Sequence, residues 1–234
     1  MSKLRNPLSS QLSLWTSPRL LSYKRAMSVS TKCLRLGLAV LLLCTLGLAA
    51  DFTWDWHTQQ VMGREDPSVG NTSKLKEADR TALIDAITAR LQKPMTDRGF
   101  DDDRIREIAS TARIRLVDLG KGNAVVLATS ISMEGGCDGT NCPFWIFQNS
   151  PDGYISLLDT VAASYTIQPD STNGFSDLVM MRHVSASESS LTLYHYGDGK
   201  YVDAGCYTAT WPAAKDGETP DPEISPCKAE EEKK

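Results

Sequence analysis

The chain has 234 residues, of which 25 are Lys or Arg and 29 are Asp or Glu, giving a formal net charge of −4. That average hides a split: residues 1–50 hold seven basic residues and no acidic one, so the remainder carries 18 basic and 29 acidic residues, a net of −11. An acidic body of this kind argues against a nucleic-acid partner, which needs clustered Lys and Arg, and against electrostatic docking on anionic lipid.

The apolar run Leu36–Ala50 follows Lys32 and Arg35 and ends in small residues. Basic flank, apolar stretch and small-residue exit describe a secretory signal, and 15 residues fall short of the roughly 20 that span a bilayer. Residues 1–50 are therefore expected to be a targeting segment whose true start is Met27. The alternative is an uncleaved signal anchor over residues 34–50 that holds the protein at the inner membrane, with Trp54 and Trp56 at the outer interface. Membrane contact is expected through this segment alone.

Residues 51–72 have no sustained period and read as a linker. Over residues 74–93, Leu75, Ala78, Ala82, Leu83, Ala86, Ile87 and Leu91 recur at three- and four-residue spacing, which predicts an amphipathic helix. Ser73 is its expected cap and Lys93-Pro94 its expected end. A short second helix is predicted over residues 102–110, with the Asp101-Asp102-Asp103 triplet at its N-terminus, where negative charge suits the dipole.

From Ala112 the period becomes extended. Strands are predicted around Ile114–Leu116, Val125–Ala128, Phe144–Phe147, Tyr154–Leu158, Tyr165–Ile167, Asp177–His183, Leu191–Tyr196 and Lys200–Val202. Gly/Asn/Asp connectors such as Asn173-Gly174 and Gly197-Asp198-Gly199 separate them. The expected fold class is α+β: an N-terminal helix packed on one twisted antiparallel meander sheet of six to eight strands, stapled by disulfides, within a single domain over residues 73–212. Residues 213–234 read as an acidic, charged tail without order of its own, except where Cys227 ties it back.

Cys33 and Cys44 fall in the targeting segment, which leaves Cys137, Cys142, Cys206 and Cys227 in the body. An even number in an exported chain points to disulfides. Four cysteines allow three pairings; Cys137–Cys142 and Cys206–Cys227 are favoured because each closes a short loop. Four thiolates on one zinc ion is the weaker alternative, since tight CxxC knuckles are missing.

Tests for catalytic chemistry return little. No Gly-x-Ser-x-Gly turn occurs, and oxidised cysteines are not nucleophiles. A hairpin closed symmetrically over Ser185–Ser190 sets His183 opposite Thr192 and His195 opposite Met180, on opposite faces of the sheet, where they share no metal or dyad. Asp177 opens an apolar strand and is read as a structural hydrogen-bonding residue for the Asn173-Gly174 turn. No catalytic residue, metal or cofactor is assigned. Trp145, Tyr194, Tyr196, Tyr201 and Trp211 are the candidate binding surface, for peptide or glycan, should one sheet face show them to solvent.

Three stretches, Asp118–Asn123, Cys137–Phe147 and Asn173–Val179 followed by Leu191–Tyr201, together resemble a group of uncharacterised exported bacterial proteins with a Cys-x4-Cys-Pro-aromatic segment. They are also similar, more loosely, to FG-GAP propeller strand units, whose Asp-rich loops bind calcium. At the corresponding positions this chain has Asp118, Gly120 and Gly122. Two side chains that would supply oxygen are absent, so the resemblance implies a loop without its ion. The functional expectation is an exported cell-envelope domain, non-enzymatic, that binds an envelope protein or glycan or serves structurally. Alternatives are an inhibitor of an envelope hydrolase that uses the 137–142 loop as a wedge, and a degenerate hydrolase built on Asp177 or His183.

Overall fold

The structure, a computed structural model, describes residues 52–120, 122–214 and 220–227. The expected targeting segment of residues 1–50, with Met27 and the alternative anchor, lies outside them.

Helix α1 (Glu77–Thr96) carries Leu83, Ile87, Leu91 and Met95, buried at four-residue spacing along one stripe. It starts after Lys76 rather than at Ser73, and Thr72 Oγ1 instead receives the Lys74 N–H. It also runs through Pro94, which the sequence placed at its end. A proline one turn from a C-terminus removes only the donor for the Arg90 carbonyl, and continuing the helix buries Met95. Helix α2 (Asp102–Thr111) is capped by Asp101, whose Oδ1 accepts the Arg104 N–H at 2.8 Å. Asp102 and Asp103 stand in its first turn.

Nine strands follow among the described residues, paired antiparallel throughout. They are β1 (Arg113–Asp118), β2 (Ala124–Thr129), β3 (Cys142–Ser150), β4 (Gly153–Ala162), β5 (Ser164–Thr172), β6 (Phe175–His183), β7 (Glu188–Gly197), β8 (Lys200–Thr210) and β9 (Glu223–Pro226). They form two sheets rather than the single meander expected, in the orders β1-β2-β3-β4 and β5-β6-β7-β8-β9. The sheets part at one residue, Ala163, whose N–H goes to the Met181 carbonyl. The sequence Val161-Ala-Ala-Ser-Tyr165 holds no Gly, Pro or Asn there, so nothing local announces the corner. Two hairpins do have the expected signal: Asn173-Gly174 and Asp198-Gly199 each adopt two successive positive φ values, the type I′ geometry that suits strand twist.

The first sheet is the middle layer. Val126, Ala128, Trp145 and Phe147 face Leu83, Ile87, Leu91, Met95, Ile105 and Ile108 of the helices. Their neighbours Val125, Leu127, Phe144 and Ile146 face Tyr165, Leu178, Met180 and Tyr201 of the second sheet. Burial on both faces is why β2 and β3 read as unbroken apolar runs.

Residues 53–72, expected as a linker, have no strand or α-helix yet are packed into the body. Val69 is fully buried, Trp54 and Met62 nearly so. Arg115 of β1 is the tie: it holds Asp66 through Nε at 3.0 Å and Nη2 at 2.8 Å, and donates from Nη1 to Tyr165 Oη at 3.1 Å. The tail also departs from expectation, since β9 pairs with β8 inside it. Both favoured disulfides are present, Cys137–Cys142 and Cys206–Cys227, the second joining β8 to the end of β9. Two disulfides point to an oxidising, exported environment. Among the described residues, no helix is long and apolar enough to cross a membrane.

Candidate functional site

The five aromatic residues expected to share a binding surface are divided among three places. Trp145, 2% exposed, lies between the helices and the first sheet. Tyr194, Tyr196 and Tyr201 face inward, between the sheets. Tyr201 donates to the Ser176 carbonyl at 2.8 Å, Tyr196 stacks on Phe175 at 3.8 Å, and Tyr194 Oη lies 3.3 Å from Thr160 Oγ1. Only Trp211 lies on the outer face of the second sheet, edge-on to Trp54 and Trp56. The correction follows from layering: a sheet packed on another layer turns its aromatic side into core.

Trp145 nevertheless contributes to a cleft. Where the C-terminal half of α1 crosses the ends of β3 and β4, a cleft of about 460 Å³ is lined by Leu91, Pro94, Met95, Pro143, Trp145 and Val161. Arg90, Arg98 and Asp159 also line it, and in a body of net negative charge two guanidiniums make a local cationic exception. Arg90 Nε is 4.0 Å from Asp159 Oδ2, with both side chains about half exposed, so the pair is loose. Arg98 donates to the Glu134 carbonyl at 2.8 Å and sits over the Phe100 ring. Burial pushes the Asp159 carboxyl above the usual carboxylate range, against the pull of Arg90 and the Trp145 indole. Gly135 and Gly136 form one wall as bare backbone: a Cβ at Gly135 would meet Ser130 Oγ at 1.9 Å. The arrangement is an apolar floor with a few convergent polar groups, one of them an acid of raised pKa, the form that ligand sites take.

The stapled loop is rigid for a different reason. Asp138 Oδ1 accepts the N–H groups of Thr140 and Asn141 at 2.9 and 2.6 Å and the Thr140 hydroxyl at 3.0 Å, while Oδ2 takes the Asn141 amide at 3.2 Å. The Asn141 backbone bond and its neighbours hold the Asp138 carboxyl well below the usual range. Asn141 then bonds both the N–H and the carbonyl of His183, at 2.8 and 3.1 Å, docking the loop on the end of β6. Asp138 therefore builds the loop from within while its side chain stays at the exposed surface.

The histidines are displaced from their expected register. The β6–β7 hairpin closes over Val184–Glu188, so His183 pairs with Ser189 and Met180 with Thr192. This three-residue shift puts His183 and His195 on one face, six positions apart along the strand direction, about 20 Å. Asp177 meets His195, Oδ2 to Nε2 at 3.5 Å; it does not serve the Asn173-Gly174 turn, where Asn173 bonds the Tyr196 carbonyl instead. In the 118–123 loop, Asp118 accepts the Gly120 N–H at 2.8 Å. A second cleft, about 530 Å³, lies beside Trp211 and is lined by His183, Ser185, Ser187 and Ser189. Among the described residues no three His, Cys, Asp or Glu side chains converge.

Sequence reasoning missed Arg90, Arg98 and Asp159, because residues on a helix and a strand about 60 positions apart share no local pattern. The proline at position 94 inside an otherwise regular apolar stripe was the one available signal. No protein-family model, curated protein or solved structure matches this chain.

Proposed function

We propose that the body is an exported cell-envelope binding module, braced by its disulfides, and that the cleft between α1 and the β3–β4 end is its ligand site. The observation that carries this reading is the make-up of the cleft: an apolar floor beside a loosely paired, half-exposed Arg90. Such a site suits an apolar chain or ring that ends in an anionic group. The apolar part covers Leu91, Met95 and Val161, and the anion takes Arg90 from Asp159.

Isothermal titration of the disulfide-bonded protein with dodecanoate tests it, with dodecyl maltoside as the uncharged control. Dodecanoate is expected to bind one-to-one and the control to bind more weakly. Arg90→Ala, which removes a charge-assisted contact of about 1.5–3 kcal/mol, should weaken binding roughly ten- to a hundredfold. Equal affinity for both ligands, or no change in Arg90→Ala, removes the reading.

A glycan ligand is the second reading, supported by the half-buried Trp211 wall and the serine hydroxyls of the other cleft. Quenching of tryptophan fluorescence by peptidoglycan fragments, lost in Trp211→Ala, would favour it. The hydrolase-inhibitor reading keeps its acidic stapled loop, with Asp138 exposed and bonded to its own backbone neighbours, but no further observation favours it. A degenerate hydrolase built on Asp177 or His183 gains no support from their placement, Asp177 standing beside His195 and His183 at the far end of the strand.

A further inference from the structure

The disulfide between Cys137 and Cys142 stands between two clefts. On one side, Gly136 and Pro143 line the cleft under α1, and each is the chain neighbour of one of the two cysteines. On the other side, Cys137 and Cys142 themselves line a smaller cleft of about 290 Å³, together with Val61, Thr140 and Ser164. Cys142 is partly exposed.

The wall that begins at Gly136 has few other anchors. Residues 132–137 form a turn that bonds mainly to itself. Ser132 Oγ accepts the Gly135 N–H at 3.0 Å, while the Met133 and Ser132 carbonyls accept the Gly136 and Cys137 N–H groups, both at 3.1 Å. Its outside partners are Arg98, at the Glu134 carbonyl, and Arg104, at the Glu134 carboxylate, both solvent-exposed contacts. Pro143, by contrast, is fixed to the sheet. Its carbonyl accepts the Thr129 hydroxyl at 2.8 Å and the Ser130 N–H at 3.2 Å. A Cβ on Gly136 would lie 3.2 Å from Pro143 Cγ, so the loose wall touches the fixed floor beside the bond that joins them. The hydrogen bonds of Asp138 close only the tip of the loop, over residues 138–141.

We infer that the Cys137–Cys142 disulfide positions the Gly135–Gly136 wall of the cleft under α1, and that a dithiol reductant entering by the smaller cleft converts that site to a low-affinity form; the inference rests on the ligand reading of the larger cleft. A thiolate of the reductant attacks one sulfur, and its second thiol resolves the mixed disulfide. Two electrons and two protons pass to the protein, which gains two thiols, and the reductant leaves as its own disulfide. The freed sulfurs separate to non-bonded contact, and the wall moves from the floor. Coupling is reciprocal, so a bound ligand makes this disulfide harder to reduce. The Cys206–Cys227 disulfide fastens β9 to β8 in the other sheet and serves as the internal control.

The test is calorimetric titration of the Cys206→Ala/Cys227→Ala protein with dodecanoate, before reduction, after dithiothreitol and after reoxidation. The oxidised form is expected to bind as the protein with both disulfides does. Reduction should weaken binding roughly ten- to a hundredfold, and reoxidation should restore it, which damage to the fold would not allow. Cys137→Ala/Cys142→Ala should hold the weakened affinity in either condition. Amide exchange at Gly135 and Gly136 should quicken on reduction while that of α1 and β3 stays unchanged. Equal affinity before and after reduction overturns the inference and leaves the ligand site standing. Loss of far-UV circular dichroism on reduction also overturns it, since the disulfide then holds the fold rather than the wall. No binding by the oxidised form removes the ligand site, and the inference with it.

Discussion

The two outer surfaces of the layered body are covered in different ways. Over the first sheet lie α1 and α2, whose Leu83, Ile87, Leu91, Met95, Ile105 and Ile108 meet an equally apolar sheet face. Over the second sheet lies an irregular strap, in which Trp54 bonds Thr166 at 3.1 Å and Trp56 bonds Asp221 at 2.7 Å. Beneath the helices nearly everything is hydrocarbon. On the strap side, buried Val179, Met181 and Leu191 share the face with Asp177. A helix satisfies its own backbone and can offer a continuous apolar stripe. A strap whose internal hydrogen bonds are confined to short turns must borrow partners from the sheet, as Gln60 does from the Tyr165 backbone, and leaves polar groups and gaps between them.

The largest expected effect sharpens that contrast. Ile87→Ala, under the helices, should lose about 2–5 kcal/mol of unfolding free energy. Trp56→Ala, half exposed on the strap, should lose roughly 1 kcal/mol, the scale of its hydrogen bond. Denaturant titration of both variants measures the difference; equal losses would mean that the strap is as much a part of the core as the helices are.

Next come the staples. Cys206 and Cys227 are 21 residues apart, Cys137 and Cys142 only five. Chain-entropy reasoning assigns about 3 kcal/mol to the longer loop and about 2 kcal/mol to the shorter. Replacing Cys206 and Cys227 together with Ala should also release β9, and with it the Asp221 that Trp56 holds. Limited proteolysis after residue 210 is expected to follow; a tail that stays resistant would place its anchoring in β9 pairing alone.

The smallest effect is a pH dependence. The folded Asp138 carboxyl sits below its unfolded value of about 3.9, so its stabilising contribution is complete above that pH and is lost as the pH falls toward the folded value. Asp159 has the opposite sign: its raised folded pKa means acidification through that range favours the fold. Acid unfolding profiles should therefore flatten below about pH 4 in Asp138→Ala, while Asp159→Asn should remove a gain in stability on mild acidification. Unchanged profiles in both would detach these carboxyls from the stability of the body.

Much of the local order was legible. The helix stripe, the Asp101 cap, the Asn173-Gly174 and Asp198-Gly199 turns and the cysteine pairing each depend on residues a few positions apart, or on cysteine chemistry that admits few solutions. Propensity and periodicity act at that range. The linker reading of residues 51–72 failed because irregular chain can be buried through long-range partners, here Arg115 with Asp66. The hairpin register failed because a turn closed over residues 184–188 and one closed over residues 185–190 leave the same strands, yet choose which face His195 shares.

Sequence alone therefore indicated where most of the helices and strands would form, which cysteine pairing to favour and that the body is acidic, since these are written in neighbouring residues and in composition. Tertiary structure decided that the strands split at Ala163 into two sheets, that the tyrosines turn inward, and that Arg90 meets Asp159 and Asp177 meets His195. Those outcomes follow from which layer buries which face, a competition among distant apolar surfaces that no local window of the chain contains.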